Sequence, residues 1–255
     1  MADNKPTFHH MNVSLRPYST LTSLRTNSSN QSSQSQRILW LLEELGIEYN
    51  LVLHYRNPPN HPKAPFRSPP SLIETGPYGK APLLITGDKD GKRYIPESSA
   101  IATYLIRTFD TTDKFGLKNG DWVRDEVITS LSQTNLNRGI GMLLMLDFGA
   151  IRNGQRPMGK RFDGPEQRAQ LADLERELVE GPKGGFFMGE HPGRADIMLE
   201  YPISSIKHRN WVDLPKEFPK LNEWLQRVYD RPAFKRSLEK GNGYDMSCFP
   251  KTPRL

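Results

Sequence analysis

The chain has 255 residues, of which 36% are hydrophobic and 25% charged, a composition typical of a globular protein and too polar for a membrane protein. Its sequence lacks the apolar run of roughly 18 residues that spans a bilayer, and its first ten residues lack the apolar core of a secretory signal, so we expect a cytoplasmic protein without membrane insertion. The single cysteine, Cys248, excludes an internal disulfide and a CxxC redox or zinc pair.

The net charge of +6 is spread along the chain and is mostly interleaved with acids. The densest basic run, residues 152–161, is interrupted by glycine and proline and has almost no aromatic residues beside it. No nucleic-acid partner is therefore expected, and the positive balance favours small anions instead.

The N-terminal part begins with a predicted strand at residues 7–12 (TFHHMN). The following segment, about 13–34, is rich in Ser, Thr and Asn without a sustained period, which is typical of a loop or disorder. Apolar residues then recur at helical spacing from Ser35, a predicted N-cap, to Gly46, which predicts the helix end.

The remaining elements of this half alternate in type. They are a strand at 49–55, a short helix at 71–75, strands at 81–86 and 93–95 joined by a hairpin turn in GDKDGK, and a helix at 100–109 with Ser98 or Ser99 as its cap. The order β-α-β-(α)-β-β-α predicts an α/β domain over residues 1–110.

Strand signals largely stop after Asp110. Helical patterns follow at 121–151, 166–180, 196–211, 219–229 and 232–240. We therefore predict a linker at 111–120 and an all-α domain at 121–255.

Four segments resemble the glutathione transferases, most closely their serine-type bacterial and fungal group. These are SQSQRILWLLEELGIEYNLVLHYR, GKAPLLIT, IPESSAIATYL and GRADIMLEYPI, and the resemblance covers roughly residues 37–240. It implies a thioredoxin-like, glutathione-binding N-terminal domain followed by an all-helical C-terminal domain. It also implies glutathione as cosubstrate without a metal, a role in detoxification and a homodimer.

The resemblance assigns a glutathione-binding role to five residues. The proline of the Ala81-Pro82 pair would be cis and would turn the backbone of Ala81 toward the cysteinyl part of glutathione. Ser98 and its N–H would hold the γ-glutamyl carboxylate, and Glu97 would receive the γ-glutamyl ammonium. Lys80 matches a family position near the ligand backbone. From the residues alone, a trans edge-strand proline, a simple helix cap and an exposed lysine remain open.

The catalytic residue implied by the resemblance is Ser33, which lies four residues before the arginine that starts RILWLL. A serine hydroxyl there would donate a hydrogen bond to the glutathione sulfur and stabilise its thiolate. Ser32 and Ser35 are alternatives in the same serine-rich run, and a purely structural role also remains open.

The sequence departs from the family in two places. About twenty polar residues, 13–31, stand where relatives run directly from strand to helix, and joining Asn12 to Ser32 would restore the pattern. We interpret them as an insertion, one candidate origin being a retained short intron, which transcript sequencing tests. In GRAD, Gly193 replaces the hydroxyl residue of a capping box completed by Asp196, which predicts a loss of about 1 kcal/mol or less.

The resulting hypothesis is an enzyme that activates the glutathione thiolate for attack on a small electrophile or a hydroperoxide. One alternative is a catalytically weak or inactive glutathione-transferase-like binding or regulatory protein, which the insertion favours. A second is a glutathione-dependent ether-cleaving enzyme. The absence of a cysteine from the first loop argues against reduction of mixed disulfides.

Overall fold

The computed structural model describes residues 5–12, 34–55, 57, 61–63, 67–76, 78–87, 91–147 and 165–241. Several predictions fall outside these residues, namely the polar insertion at 13–31, Ser32, Ser33, the hairpin turn at 88–90, the basic run at 152–161 and Cys248. The chain divides into two compact units, the first formed by residues up to Phe109 together with a segment that starts at Pro232, and the second running from Asp110 to Arg231.

The first unit has the predicted order of strands and helices. Its elements are β1 (Thr7–Asn12), α1 (Ser35–Leu45), β2 (Asn50–Tyr55), α2 (Pro70–Ile73), β3 (Leu83–Ile85), β4 (Tyr94–Pro96) and α3 (Ser98–Phe109), with α10 (Pro232–Lys240) added from the end of the chain. The strands form one sheet in the order β2-β1-β3-β4, in which β1 and β2 are parallel and the other pairs antiparallel. This mixed sheet with its helices is the predicted thioredoxin-like α/β fold.

Helix α1 buries its apolar side chains in the core of the first unit, where Ile38, Leu39 and Leu42 have no exposed surface. It ends as predicted at Gly46, whose φ of 64° is accessible to glycine without strain and whose N–H donates to the Leu42 carbonyl. The predicted cap was wrong, because the N-cap is Gln34. Ser35 already has helical geometry in the first turn, and it is fully buried.

Helix α10 packs against α1 through a buried carboxylate, that of Glu43. Arg236 donates to Glu43 with an Nε–Oε2 distance of 3.0 Å, and Lys240 and the Tyr49 hydroxyl donate to the same carboxylate. Burial alone would raise the pKa of Glu43, but these donors outweigh it and the pKa is lowered. Helix α10 therefore belongs by its contacts to the first unit, while the division of the sequence at residues 111–120 stays a prediction.

The regular elements of the second unit are all helices among its described residues, apart from one isolated bridge between Phe186 and Gly189. Its elements are α4 (Trp122–Leu131), a π-helical turn (Ser132–Leu136), α5 (Asn137–Asp147), α6 (Pro165–Glu180), α7 (Arg194–Arg209), α8 (Leu214–Glu217) and α9 (Pro219–Asp230). The predicted all-helical domain is thus present. Among the described residues, no helix has both the length and the apolar character needed to cross a lipid bilayer.

The N-terminus of α7 is held by a fully buried carboxylate, that of Asp196. It accepts hydrogen bonds from the backbone N–H of Gly193 at 2.9 Å, the N–H of Phe187 at 2.9 Å and Nε1 of Trp224 at 2.7 Å. Because Gly193 has no side chain, only the Asp196 half of a capping box exists. Burial raises the pKa of Asp196 to about 6, although its three donors act in the opposite direction.

Candidate functional site

The residues predicted to bind glutathione meet at one end of the β3–β4 pair. Leu83 lies opposite Pro96 in this antiparallel pair. The residue before Leu83 is Pro82, and the residue after Pro96 is Glu97, so the register brings these two positions together beyond the last paired residues. The Ala81–Pro82 bond is cis, as the resemblance implies.

The turn from β4 into α3 has an unusual backbone. Glu97 has a φ of 69°, a conformation uncommon for a residue with a side chain. Its carbonyl accepts the first helical hydrogen bond, from the N–H of Ile101 at 2.9 Å, so Glu97 is the N-cap of α3. The prediction of Ser98 or Ser99 as the cap was wrong, because both already lie inside the helix.

This geometry places backbone N–H donors beside the Ser98 hydroxyl at the start of α3. The first N–H groups of a helix have no partner within the helix, and the first turn of α3 contains no acidic residue. The Ser98 side chain is buried, with 3% of the residue exposed, whereas Glu97 is exposed. A small anion with a nearby cationic group fits this combination of donors and a free carboxylate.

The loop before β3 supplies the other predicted residues. Gly79, in the turn that leads to Lys80, has a φ of 57°, a conformation that glycine adopts without strain. Lys80 is exposed, Ala81 is partly exposed and Pro82 is buried. Lys80 is therefore accessible to solvent on the loop that leads into the β3 end of the site.

The predicted catalytic position is the one part of the site that lies outside the described residues. Ser33 and Ser32 both fall there, whereas Ser35 lies in the first turn of α1 with no exposed surface. The choice among these serines therefore stays a prediction.

A second polar cluster in the first unit was missed by sequence reasoning. Nδ1 of His9 on β1 lies 2.9 Å from Nε2 of His54 on β2, and Nδ1 of His54 lies 3.0 Å from Oγ of Ser71 on α2. The two imidazole rings also stack, with centroids 5.2 Å apart. The available signal was that alternate residues of a strand share a face, so His9 and Met11 lie on one face of β1. In the parallel pair with β2, Met11 lies opposite His54, and this places His54 on the same face as His9.

The histidines of these strands are kept neutral by the protein interior. Burial, with a smaller contribution from neighbouring His54, lowers the pKa of His9 and of His10 to about 4. Burial also lowers the pKa of His54. All three rings are therefore uncharged near neutral pH.

Two family models match the sequence and together cover well over half of it. Residues 31–108 match the glutathione S-transferase N-terminal domain, and residues 158–241 match the glutathione S-transferase C-terminal domain. The first match contains every residue of the predicted site. The chain therefore belongs to the glutathione S-transferase family.

Individual relatives are distant but match along nearly the whole chain. The chain is 23% identical to glutathione S-transferase 1 of Saccharomyces cerevisiae, over 82% of this chain and 91% of that protein. The structure of a glutathione S-transferase from Actinobacillus pleuropneumoniae superposes with a TM-score of 0.70 at 22% identity, covering 94% of each chain. The glutathione transferase URE2P8 of Phanerochaete chrysosporium, solved with oxidized glutathione, gives 0.67 at 21% identity, covering 94% of this chain and 96% of that one. These structures share the fold of this chain.

Proposed function

We propose that the protein is an active glutathione transferase of the serine type, which stabilises the glutathione thiolate for attack on small electrophiles or hydroperoxides. The observation that carries this proposal is the open N-terminus of α3. There the buried Ser98 and an exposed Glu97 stand beside Pro82, and no acidic side chain of the first turn occupies the N–H groups. The relative URE2P8, which shares this fold, was solved with oxidized glutathione.

Each part of the site has a chemical counterpart in glutathione. The N–H and hydroxyl of Ser98 bind the γ-glutamyl carboxylate at the positive end of α3, and the Glu97 carboxylate pairs with the γ-glutamyl ammonium. The backbone of Ala81 pairs with the cysteinyl part, and Lys80 attracts the glycyl carboxylate. Together these contacts fix the sulfur in one position.

The reaction then needs a donor aimed at the sulfur, and Ser33 fills this role in the proposal. A hydrogen bond to the thiolate favours the charged form near neutral pH, so the nucleophile is ready before the electrophile arrives. This chemistry requires no metal. The cytoplasm, where the composition suggests that the protein acts, keeps thiols reduced with glutathione and so supplies the cosubstrate.

We also propose a homodimer. Helix α4 exposes three large apolar residues at its first turns, Trp122, Val123 and Val127, each more than half exposed. Tyr78 of the first unit is 52% exposed as well. Exposed apolar groups of this size are typical of an interface, and sedimentation of the purified protein measures the assembly directly.

The test is calorimetry with glutathione, run beside conjugation of a chloronitrobenzene. Ser98→Ala is expected to weaken glutathione binding about tenfold, because it removes a hydrogen bond to a charged group. Ser99→Ala is the matched control, since it changes the next residue of the same helix and should leave the affinity unchanged. Ser33→Ala should retain binding and lower kcat by about 100-fold or more.

The possible outcomes distinguish glutathione binding from catalytic turnover. Binding that depends on Ser98 but gives no turnover in the wild type would indicate a binding or regulatory protein. Full turnover in Ser33→Ala would move the thiolate donor to another residue of the loop. No measurable binding would contradict the proposed site itself.

A further inference from the structure

We propose that Ser71 is an activated nucleophile that takes up an acyl group from small activated carboxylic esters, with His54 as its general base and His9 as a positioning residue. None of these residues belongs to the proposed glutathione site. The inference rests on the cluster formed by β1, β2 and α2.

The geometry meets the requirements of an activated hydroxyl. A nucleophile must lie within hydrogen-bond reach of a base, and the base must in turn be oriented by a third group. The Ser71 Oγ to His54 Nδ1 distance is 3.0 Å, and the His54 Nε2 to His9 Nδ1 distance is 2.9 Å. Both distances lie within the range of good hydrogen bonds.

The fold holds this arrangement in place. The parallel register sets His9 opposite Val52 and Met11 opposite His54, so both histidines project from the same face of the sheet. Their rings stack with an interplanar angle of 22°. The backbone of Ser71 is fixed by the Thr75 hydroxyl, which donates to the Ser71 carbonyl at 2.7 Å.

The hydrogen bonds are consistent with one direction of proton flow. A neutral imidazole has one donor and one acceptor nitrogen. When His54 donates from Nε2 to His9, its Nδ1 is left to accept from the Ser71 hydroxyl. Burial lowers the pKa of His54, so Nδ1 is unprotonated and available near neutral pH.

Access distinguishes Ser71 from the groups that orient it. His9 and His54 are buried, with 7% and 4% of each residue exposed, whereas Ser71 is exposed. A small reagent can reach the exposed Ser71 hydroxyl, while the base that accepts its proton is shielded from water. The nucleophile, Ser71, is therefore exposed to solvent, and its base, His54, is buried.

In the proposed acyl transfer, each bond formed is matched by a bond broken, and the proton of Ser71 is passed on through His54. Oγ of Ser71 forms a bond to the acyl carbon while its proton passes to Nδ1 of His54. The bond between the acyl carbon and the leaving oxygen breaks, and His54 returns the proton to that oxygen. Water then attacks the acyl-serine by the same route, which releases a carboxylic acid and restores the Ser71 hydroxyl.

The primary experiment treats the protein with p-nitrophenyl acetate without glutathione, in a Cys248→Ser background that removes the only thiol. Release of p-nitrophenolate and the mass of the acetylated peptide are followed together. We expect acetylation at Ser71, its loss in Ser71→Ala, and no change in Ser68→Ala, which alters a nearby serine of the same segment. His54→Gln should slow the reaction by about 100-fold.

A thiol at position 71 tests the base without removing it. In the Ser71→Cys variant of the same background, the pH dependence of alkylation by iodoacetamide gives the pKa of the new thiol. Pairing with His54 should lower this pKa below the ordinary value of about 8.5. A thiol pKa at or above that value would overturn the proposal, even if His54→Gln fails to fold.

The positioning role of His9 is tested by comparing two substitutions. His9→Gln keeps an oxygen that can accept from His54, whereas His9→Phe keeps the stacked ring without an acceptor. We expect the glutamine variant to retain most of the acylation rate and the phenylalanine variant to lose about tenfold. Equal rates in the two variants, or acetyl groups found only on lysines, would refute the assignment.

Discussion

The N-termini of α7 and α3 differ in which groups accept hydrogen bonds from their backbone N–H donors. At the start of α7 the acceptors are the protein's own buried carboxylates. Asp125 accepts from the N–H of Ala195 at 2.8 Å, and Asp196 accepts from the N–H of Gly193 as well as from Phe187 and Trp224. At the start of α3 the first turn contains no acidic residue, and the nearest carboxylate, that of Glu97, is exposed.

We interpret the start of α7 as a structural terminus, whereas the proposed function makes the start of α3 a glutathione-binding terminus. A buried carboxylate that accepts three hydrogen bonds ties the start of the helix to the segments that donate them. In the proposed function, an external carboxylate accepts hydrogen bonds from the first N–H groups of α3 and from the buried Ser98 hydroxyl. Stability is therefore expected to depend on Asp196, and affinity on Ser98.

The largest expected effect is the loss of the filled terminus. Asp196→Ala leaves three buried donors without an acceptor, which should lower the free energy of unfolding by about 4 kcal/mol. Urea unfolding followed by tryptophan fluorescence measures this, because Trp224 is one of the donors. Asp196→Asn keeps one acceptor oxygen and should lose less.

The contrast with α3 completes that test. Ser98→Ala should change the free energy of unfolding by no more than about 1 kcal/mol, since no partner at the helix start depends on it. A stability loss in Ser98→Ala equal to that in Asp196→Ala would contradict the division into structural and binding termini.

Acid should affect the histidines of β1 and β2 and the Asp196 carboxyl at the start of α7 in opposite directions. His10 in the first unit titrates at about 4 when folded and near 6.5 when unfolded, so the unfolded chain takes up the proton first. The free energy of unfolding therefore falls as the pH drops from about 6.5 to 4, by about 3 kcal/mol for His10, and the lowered pKa values of His9 and His54 act in the same direction. The raised pKa of Asp196 gives a gain over a similar range, because there the folded state binds the proton first.

Hydrogen exchange at two pH values measures this difference. On acidification, amide protection should decrease in β1 and β2 and be retained in α7. Unfolding of His10→Phe should show a flatter pH dependence than the wild type, because the variant lacks one titrating group. An unchanged slope would mean that His10 does not contribute.

A smaller change than that at Asp196 is expected at Gly193. Sequence reasoning predicts that Gly193→Ser would complete the capping box and stabilise α7. In the structure an added Cβ would meet the side chain of Met188, with Cγ the nearest atom and Cβ at 2.8 Å. We therefore expect a loss of about 1–2 kcal/mol by overpacking. A rise in the melting temperature of Gly193→Ser over wild type and Gly193→Ala would show that Met188 moves aside.

Local sequence signals predicted most elements correctly. The apolar period of α1 and the glycine at its end gave both the helix and its stop, since both depend on neighbouring residues only. The caps were predicted less well, because Gln34 rather than Ser35 precedes α1, and Glu97 rather than Ser98 or Ser99 precedes α3. Cap positions depend on the backbone path into the helix, and Glu97 has a φ of 69° that no residue preference suggests.

The candidate site shows the same limit. Pro82, Glu97 and Ser98 were predicted through their resemblance to a known family, and the proximity of Pro82 and Glu97 follows from the β3–β4 register. Ser33 stays a prediction. The cluster of His9, His54 and Ser71 was not found, because its members lie on three elements and meet only when the sheet forms.

By itself, the sequence determined the class of fold, the order of its elements and the family, because periodicity and short motifs are carried by residues close together in the chain. Only the tertiary structure decided which polar groups are satisfied from within and which remain open. It placed α10 with the first unit, buried Asp196 against the Trp224 side chain from a distant helix and gave Glu97, at the start of α3, an exposed position. These outcomes depend on contacts between residues far apart in sequence, whose free energies no local pattern records.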